Sequence, residues 1–367
     1  MAIYHLSAGF VSRSTGRSSV QSAAYISSTA LHETRRDIKA DYRNRSTEVI
    51  FSTTIAIDAA PAWAKELGVW DKLESYEDEY ALLRYKTPES QTWYKEHAQT
   101  AQTLVVAIPK ELDPVIWQEL VWAFAVERFV SRGLVVSIAI HKEEGNPHAH
   151  LQISRRAIDE NGNWSWAKDR AITTKAALID SRKLWAELVN SYLERENINE
   201  RVTHKSYLDL GLPIEATRHE GWFAHKLERM GKTSRIIKEN EDIRQRNKER
   251  TALEPAAILQ ELTTKAATFS AMDLARTIQA RLGDDAKLSA AVYESAIQQA
   301  ILVGSSLDGQ ARYTSQNYFA KEQEALQWAT SLSKQLSEIA LPKDKTQSLI
   351  AGTFAYLNPE QQQAVAR

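Results

Sequence analysis

Two β-rich runs, residues 134–141 and 148–154, are separated by only six residues, Lys142-Glu143-Glu144-Gly145-Asn146-Pro147. A parallel crossover needs about a dozen residues. The two strands must therefore pair antiparallel, as a hairpin, and any sheet built on them inherits that geometry. Successive side chains of a strand point to opposite faces. On the first run Ser137, Ala139 and His141 share one face, with Val136, Ile138 and Ile140 on the other. On the second, His148, His150, Gln152 and Ser154 oppose Leu151 and Ile153. The apolar sets belong against a core. That leaves His141, His148 and His150 together on the small, polar face. Three imidazoles without carboxylate or thiolate suit a borderline divalent ion such as Mn, Zn, Ni or Co better than an oxygen-built Mg site, though Mg stays on the list. Three protein ligands leave positions open for a reactant, and a dipositive ion suits a phosphate. The plainer alternative is three surface histidines at a hairpin end. A His-x-His pair on one face with a third His across the turn favours the metal.

Composition removes several function classes. The 367 residues contain no cysteine, which excludes disulfides, thiolate–zinc sites and cysteine nucleophiles. With 46 Lys+Arg against 47 Asp+Glu, the chain does not coat nucleic acid by bulk charge. A local basic groove is still open to it. Residues 1–45 hold seven basic side chains (Arg13, Arg17, Arg35, Arg36, Lys39, Arg43, Arg45) and three acidic ones (Glu33, Asp37, Asp41). That segment is the better place to meet phosphates, with a solvated basic surface as the alternative. No run of about 18 apolar residues and no charged-then-apolar leader occurs, so neither a membrane span nor a secretory signal is expected.

Around the hairpin, residues 2–8 and 104–109 read as strands and 49–57 as a β-rich run. Residues 18–30 read as a helix of small side chains, and 62–102 as helical with a break at Pro88. An amphipathic helix over 113–132 opens on Asp113-Pro114. Helices follow over 175–197 and 217–230. The expected fold class is α+β, an antiparallel sheet with helices on one face, followed by a mainly helical C-terminal region. The highly charged stretch 237–255 reads as an exposed helix or a linker and marks a boundary: one domain over 1–245, a linker over 246–255, and a helical module over 256–367 with a small hairpin near 302–315. Met230-Gly231-Lys232-Thr233 is not a phosphate-binding loop, because Lys226 stands where its first glycine belongs and no strand precedes it. His204, His219 and His225 lack neighbours at metal spacing and read as structural.

Tyr25 lies on the small-residue helix, in Ser22-Ala23-Ala24-Tyr25-Ile26-Ser27-Ser28. Taken alone, such a tyrosine is ordinarily core. The opening MAIYHLSAGFVSRSTGRSSVQSAAYISS, followed by NPHAHLQISRR, resembles the MobA/MobL class of plasmid relaxases, and more closely the TraA-type conjugative relaxases. These are HUH endonucleases, named for His–hydrophobic–His, here His148-Ala149-His150. LVVAIPKEL (104–112) is similar to the family's strand-to-helix passage. RVTHKSYLDLGLPIEATRHEGWFAHKLERMGKTSR (201–235) is similar to the tail of its relaxase domain, so the resemblance covers roughly 1–245.

The resemblance implies that Tyr25 is the nucleophile and that His141, His148 and His150 hold the metal. Attack on one DNA strand at a plasmid origin of transfer then gives a reversible 5′-phosphotyrosine and a free 3′-hydroxyl. The chain departs from the family at Thr103-Leu104-Val105, where a Glu-x-Glu is usual; Glu89 and Glu96 are the substitutes considered. DNA contacts are expected from Arg13, Arg17, Arg35, Arg36, Arg155 and Arg156. Trp164 and Trp166 are expected as stacking platforms, worth about 1–3 kcal/mol per base, with interior packing as the alternative. Implied partners are single-stranded DNA, relaxosome accessory proteins and a type IV secretion coupling protein, in the cytoplasm of a bacterium carrying a plasmid or other mobile element. GQARYTSQNYFAKEQEALQWATSL (309–332) and Leu357-Asn358-Pro359-Glu360-Gln361-Gln362-Gln363-Ala364-Val365 resemble the run-in to a RecD-like helicase, so a longer relaxase–helicase is expected. The competing functions are a rolling-circle replication initiator with the same chemistry, a water-using phosphodiesterase and a non-catalytic origin-binding protein.

Overall fold

The computed structural model describes residues 4–45, 48–143, 145–198, 200–218, 220–283, 285–306 and 309–339. Contacts within the chain divide it into two units, Met1–Ser206 and Tyr207–Arg367.

The first unit has the elements β1 (Leu6–Ser12), α1 (Ser19–Ile26), β2 (Ala30–Glu33), β3 (Ile38–Asp41), β4 (Val49–Ile55), α2 (Val69–Arg84), α3 (Pro88–His97), β5 (Gln99–Ala107), α4 (Pro114–Arg128), β6 (Leu134–Glu143), β7 (Asn146–Ala157) and α5 (Lys175–Arg195). Five strands form one sheet in the order β1-β5-β7-β6-β4, antiparallel at every pairing. The β6–β7 hairpin has the expected register, with His141 opposite His148 and Ala139 opposite His150.

The main core lies on the sheet's apolar face. Leu104, Val106, Ile138, Ile140, Leu151 and Ile153 pack there against Trp117, Leu120 and Phe124 of α4 and Trp185 and Val189 of α5. Each such side chain stabilises the fold by about 1.5–3 kcal/mol on full burial. Helix α4 starts where the sequence predicts: the Asp113 carboxylate accepts from the Val115 amide at 2.9 Å, and Pro114 occupies the first turn.

The expected antiparallel α+β architecture is present, and α4 and α5 cover one face of its sheet. The opposite face also carries helices, α1 and α2. They pack through a second core that includes Val20, Ala23, Val69, Trp70, Leu73, Ala101 and Val135. Small side chains let α1 approach closely, since Ala23 and Ala24 are wholly buried. Trp70 reaches across and donates from Nε1 to the Ser137 hydroxyl at 2.8 Å.

Strand β1 runs later than residues 2–8, and β5 begins before residue 104. In both cases polar residues are drawn into the ladder by their neighbours, as Gln102 is between Phe10 and Ile153. The β2–β3 hairpin had no signal in the sequence, because four-residue strands are too short to display a period.

The second unit contains α6 (Gly221–Arg229), α7 (Arg235–Leu253), α8 (Ala256–Lys265), β8 (Phe269–Ser270), α9 (Ala271–Leu282), α10 (Ala286–Gln299), β9 (Ile301–Ser305), β10 (Ala311–Thr314) and α11 (Gln316–Ile339). It is mainly helical, with the small β9–β10 hairpin near 302–315 and β8 alongside β10. Ile258, Leu259, Phe269, Leu274, Ile278 and Val292 form its core. The division at Ser206/Tyr207 is not where a linker over 246–255 would put it, and α7 runs unbroken through to Leu253. The charges that suggested a linker belong to a solvated helix face. Arg246 and Arg250 pair with Glu215, and Arg244 with Glu220. His219 and the 357–365 stretch lie outside the described residues. Among those described, no helix is long and apolar enough to cross a membrane.

Candidate metal centre and nucleophile

Strand register builds the histidine cluster. His141 on β6 and His148 on β7 are direct cross-strand partners, and His150 follows two residues along the same face. Ring centroids lie 5.3 Å (His141–His148), 4.6 Å (His141–His150) and 5.0 Å (His148–His150) apart. One nitrogen from each falls within 4.8 Å of the others, the one such cluster of three among the described residues.

Two of the rings are fixed from outside. Nε2 of the buried His141 lies 2.7 Å from the Ile26 carbonyl oxygen, and Nδ1 of His148 lies 2.9 Å from that of Asn146. A carbonyl only accepts, so both nitrogens donate. The lone pairs are left on Nδ1 of His141 and Nε2 of His148. Metal-binding histidines are characteristically held this way, by a backbone acceptor on the other nitrogen. One nitrogen from each ring is thus within reach of a single ion that these three residues would hold. The donor set fits a divalent ion.

The helix carrying Tyr25 is held at both ends by the same pair of strands. The Ile26 carbonyl at its C-terminus takes the His141 hydrogen bond. At its N-terminus, Gln152 donates from Nε2 to the Ser19 carbonyl at 2.9 Å. Gln152 is the next residue after His148 and His150 on their face of β7. The buried carboxylate of Glu74, on α2, accepts from the Ser19 amide at 2.7 Å and from the Ser19 hydroxyl. Tyr25 itself is 41% exposed, with the Tyr42 ring edge-on at 5.4 Å. Tyr4 is on the other side of the sheet. It packs against the main core and donates to the Arg182 carbonyl at 2.7 Å, and burial pushes its phenol well above the usual tyrosine range.

The expected DNA contacts divide. Arg13 is buried, with Nε 2.8 Å from Glu74 and a guanidinium NH 2.6 Å from Asp78. Arg156 is 1% exposed and bonds Glu77 at 2.9 and 3.0 Å. Burial pushes the Glu77 carboxyl up, but Arg156 and Lys168 outweigh it and hold the group below the usual glutamate range. The same burial brings the Lys168 ammonium down to about 8 against the pull of Glu77. Arg13 and Arg156 are therefore internal ion-pair partners, unavailable to phosphates. Trp164 belongs to the second core.

Arg36 makes a two-pronged pair with Glu33, both bonds 2.7 Å, and Arg35 sits beside the same carboxylate at 3.8 Å. Arg155 is half-buried and donates to Gln99 at 2.6 Å. Arg17 is exposed. Trp166 is 50% exposed, its ring 4.6 Å from that of Tyr80.

Glu89 and Glu96 do not approach the histidines. They sit exposed on α3, which leads into Gln99, whereas Ala107 at the far end of β5 is the residue opposite His148. Eight residues of strand separate those ends, about 27 Å. Thr103 and Val105 do lie on the histidine face, opposite Gln152 and His150. Sequence reasoning missed Gln152 as a tie to α1, although it continues the alternation of His148 and His150.

The family model described as "MobA/MobL family" matches residues 17–230. The "Probable mobilization protein MobA" of Bifidobacterium longum is 27% identical over 297 residues, 69% of this chain and 49% of that protein. The "Conjugal transfer protein TraA" of Agrobacterium fabrum is 27% identical over 323 residues, 78% of this chain and 28% of that protein. The chain thus spans about half the length of the first and just over a quarter of the second. A solved structure from work on "Vancomycin Resistance Transfer in Staphylococcus aureus" is 27% identical, with a TM-score of 0.49, over 56% of this chain and all of that one.

Proposed function

The chain belongs to the MobA/MobL family, and from that premise we propose that it is a DNA relaxase, nicking one strand at an origin of transfer through covalent attack by Tyr25. The observation that carries the proposal is the His141–Ile26 hydrogen bond, which ties the three-histidine cluster to the residue next to an exposed tyrosine. A phosphate seated over the imidazoles would lie beside that phenol.

The residues divide the work as follows. An ordinary phenol is about one part in a thousand phenolate at neutral pH, a handicap of about 4 kcal/mol. Holding α1 at both ends offsets part of it, because a positioned nucleophile avoids the entropy of a bimolecular encounter. A divalent ion on His141, His148 and His150, whether Mn, Zn, Ni, Co or Mg, would polarise the scissile phosphate and offset its developing charge. Tyr25 bonds to phosphorus and the 3′-hydroxyl departs. The phosphodiester energy is kept in a 5′-phosphotyrosine, so the step can reverse and reseal. Arg17, Arg35, Arg36, Arg155 and Trp166 remain the contacts assigned to single-stranded DNA.

Relaxosome accessory proteins, a secretion coupling protein and a bacterial cytoplasmic setting belong to the same proposal. Denaturing electrophoresis of the protein incubated with a labelled origin oligonucleotide tests it. A protein–DNA adduct that survives denaturation is expected. Cleavage without an adduct would point to hydrolysis by water, and no cleavage to a binding protein.

A further inference from the structure

A fourth histidine shares the face of the cluster. Tyr4 and Leu6 both pack against the core beneath α4 and α5. Alternation along the chain therefore turns His5, which is exposed, to the opposite face, where the other histidines stand. The His5 carbonyl accepts from the Ala107 amide at 3.0 Å. Ala107 is opposite His148, and His148 is opposite His141. His5, immediately before β1, thus extends the row that Ala107, His148 and His141 form across β5, β7 and β6. At about 4.8 Å per strand, His5 stands about 10 Å from His148, with the methyl group of Ala107 as the floor between them.

This row has a direction. The Tyr25 helix is bonded to its His141 end, and the His5 imidazole stands at the other. Transfer of a phosphoryl group places the attacking and leaving oxygens roughly in line through phosphorus. A phosphate over the three clustered histidines, attacked from the His141 side, expels its leaving oxygen toward the end of the row where His5 stands.

We propose that His5 is a catalytic residue on the leaving side, donating a proton to the 3′-oxygen; this rests on the relaxase reading above. In the step, the bond from the Tyr25 phenolic oxygen to phosphorus forms and the bond from phosphorus to the 3′-oxygen breaks. The His5 imidazolium gives its proton to that oxygen, and the phenol proton passes to solvent. On resealing, neutral His5 takes the proton of the attacking 3′-hydroxyl, and Tyr25 leaves and is reprotonated from solvent. Imidazole suits both directions because its ordinary pKa lies near working pH.

The test compares an oligonucleotide that the wild-type protein cleaves with the same sequence carrying sulfur in place of the bridging 3′-oxygen, since a thiolate leaves without a proton. His5→Ala and His5→Gln are expected to slow adduct formation about 100-fold on the oxygen substrate, the range of a single acid–base group. On the sulfur substrate they should slow it less than about threefold, which also shows that the variants are folded and bind DNA. Equal losses on both substrates, or less than threefold on the first, would overturn the assignment of His5. Failure of the wild type to form an adduct on either substrate strikes instead at the relaxase reading on which the assignment depends.

Discussion

The side chain of His141 donates to the backbone carbonyl of Ile26 at 2.7 Å, across 115 residues of sequence. One imidazole thereby serves two elements. Its Nε2 holds the end of the helix that carries Tyr25, and its ring stands 5.3 and 4.6 Å from those of His148 and His150. The histidine cluster and the helix of Tyr25 are thus joined by one hydrogen bond.

The nucleophile can be assigned by elimination among three tyrosines. Tyr25→Phe should abolish the covalent adduct while leaving affinity for single-stranded DNA within about threefold, because only the phenolic oxygen is lost. Tyr4→Phe should leave adduct formation intact, since Tyr4 is on the other face of the sheet. Tyr42→Phe should also retain the adduct. Denaturing gels read all three, and an adduct from Tyr25→Phe would shift the role to Tyr42, whose ring stands 5.4 Å away.

The histidines should separate by what each holds. Outer partners of a metal ligand alone are worth about 10–100-fold in affinity, so His148→Ala or His150→Ala should weaken Mn binding by at least about 100-fold and nicking with it. Folding should survive, since both rings stand on the face away from the main core. His141→Ala should in addition cost about 1–3 kcal/mol of stability, by leaving the Ile26 carbonyl without its donor. Calorimetric metal titration and thermal melts distinguish the two patterns. Metal binding needs neutral imidazoles, so affinity should fall as the solution is made more acidic.

Glu77 should contribute an acid-sensitive part of the stability. Its carboxyl is held below the usual range when folded, so near its ordinary value the unfolded chain binds more protons and stability rises with pH. The contribution is complete above about pH 4.3 and is lost as pH falls through the depressed folded value. Glu77→Ala leaves Arg156 and Lys168 buried without their partner, and should cost about 3–5 kcal/mol. Urea unfolding at pH 7 measures that loss. If the variant keeps wild-type stability, the ion-pair network is not what holds α2 to β7.

The division of the chain makes a fourth prediction. A protein ending at Ser206 contains every residue assigned here to chemistry and should form the adduct within about tenfold of the full 367 residues. A larger loss in cleavage or DNA affinity, more than about 1.4 kcal/mol, would make the second unit part of the DNA site.

What the sequence revealed and what it hid follow from the range of the interactions. The hairpin, the face shared by His141, His148 and His150, and the capped start of α4 depend on residues close in sequence, and all three were legible. Arg13 and Arg156 looked like phosphate contacts because their partners, Glu74 and Glu77, lie 61 and 79 residues away. No local pattern announces that a positive charge is buried. Trp164 and Trp166 are two residues apart and indistinguishable by composition, yet one is in a core and the other half exposed. Only the tertiary fold separates them. The charges of 237–255 fitted an exposed helix or a linker equally well, and the helix α7 is what stands there.

The attachment of α1 bears on force. If a strand is joined to Tyr25 as proposed, a pull on that DNA would load α1, which is tied through Ser19 to Glu74 of α2 and through Gln152 and His141 to β7 and β6. Both are interior strands, hydrogen-bonded along each side, whereas β1 and β4 form the edges. Under the proposed chemistry, tension on the DNA would enter the middle of the sheet rather than its edges, which would peel first. On the proposed chemistry, a tethered strand would be anchored on the two strands of the sheet that have neighbours on both sides.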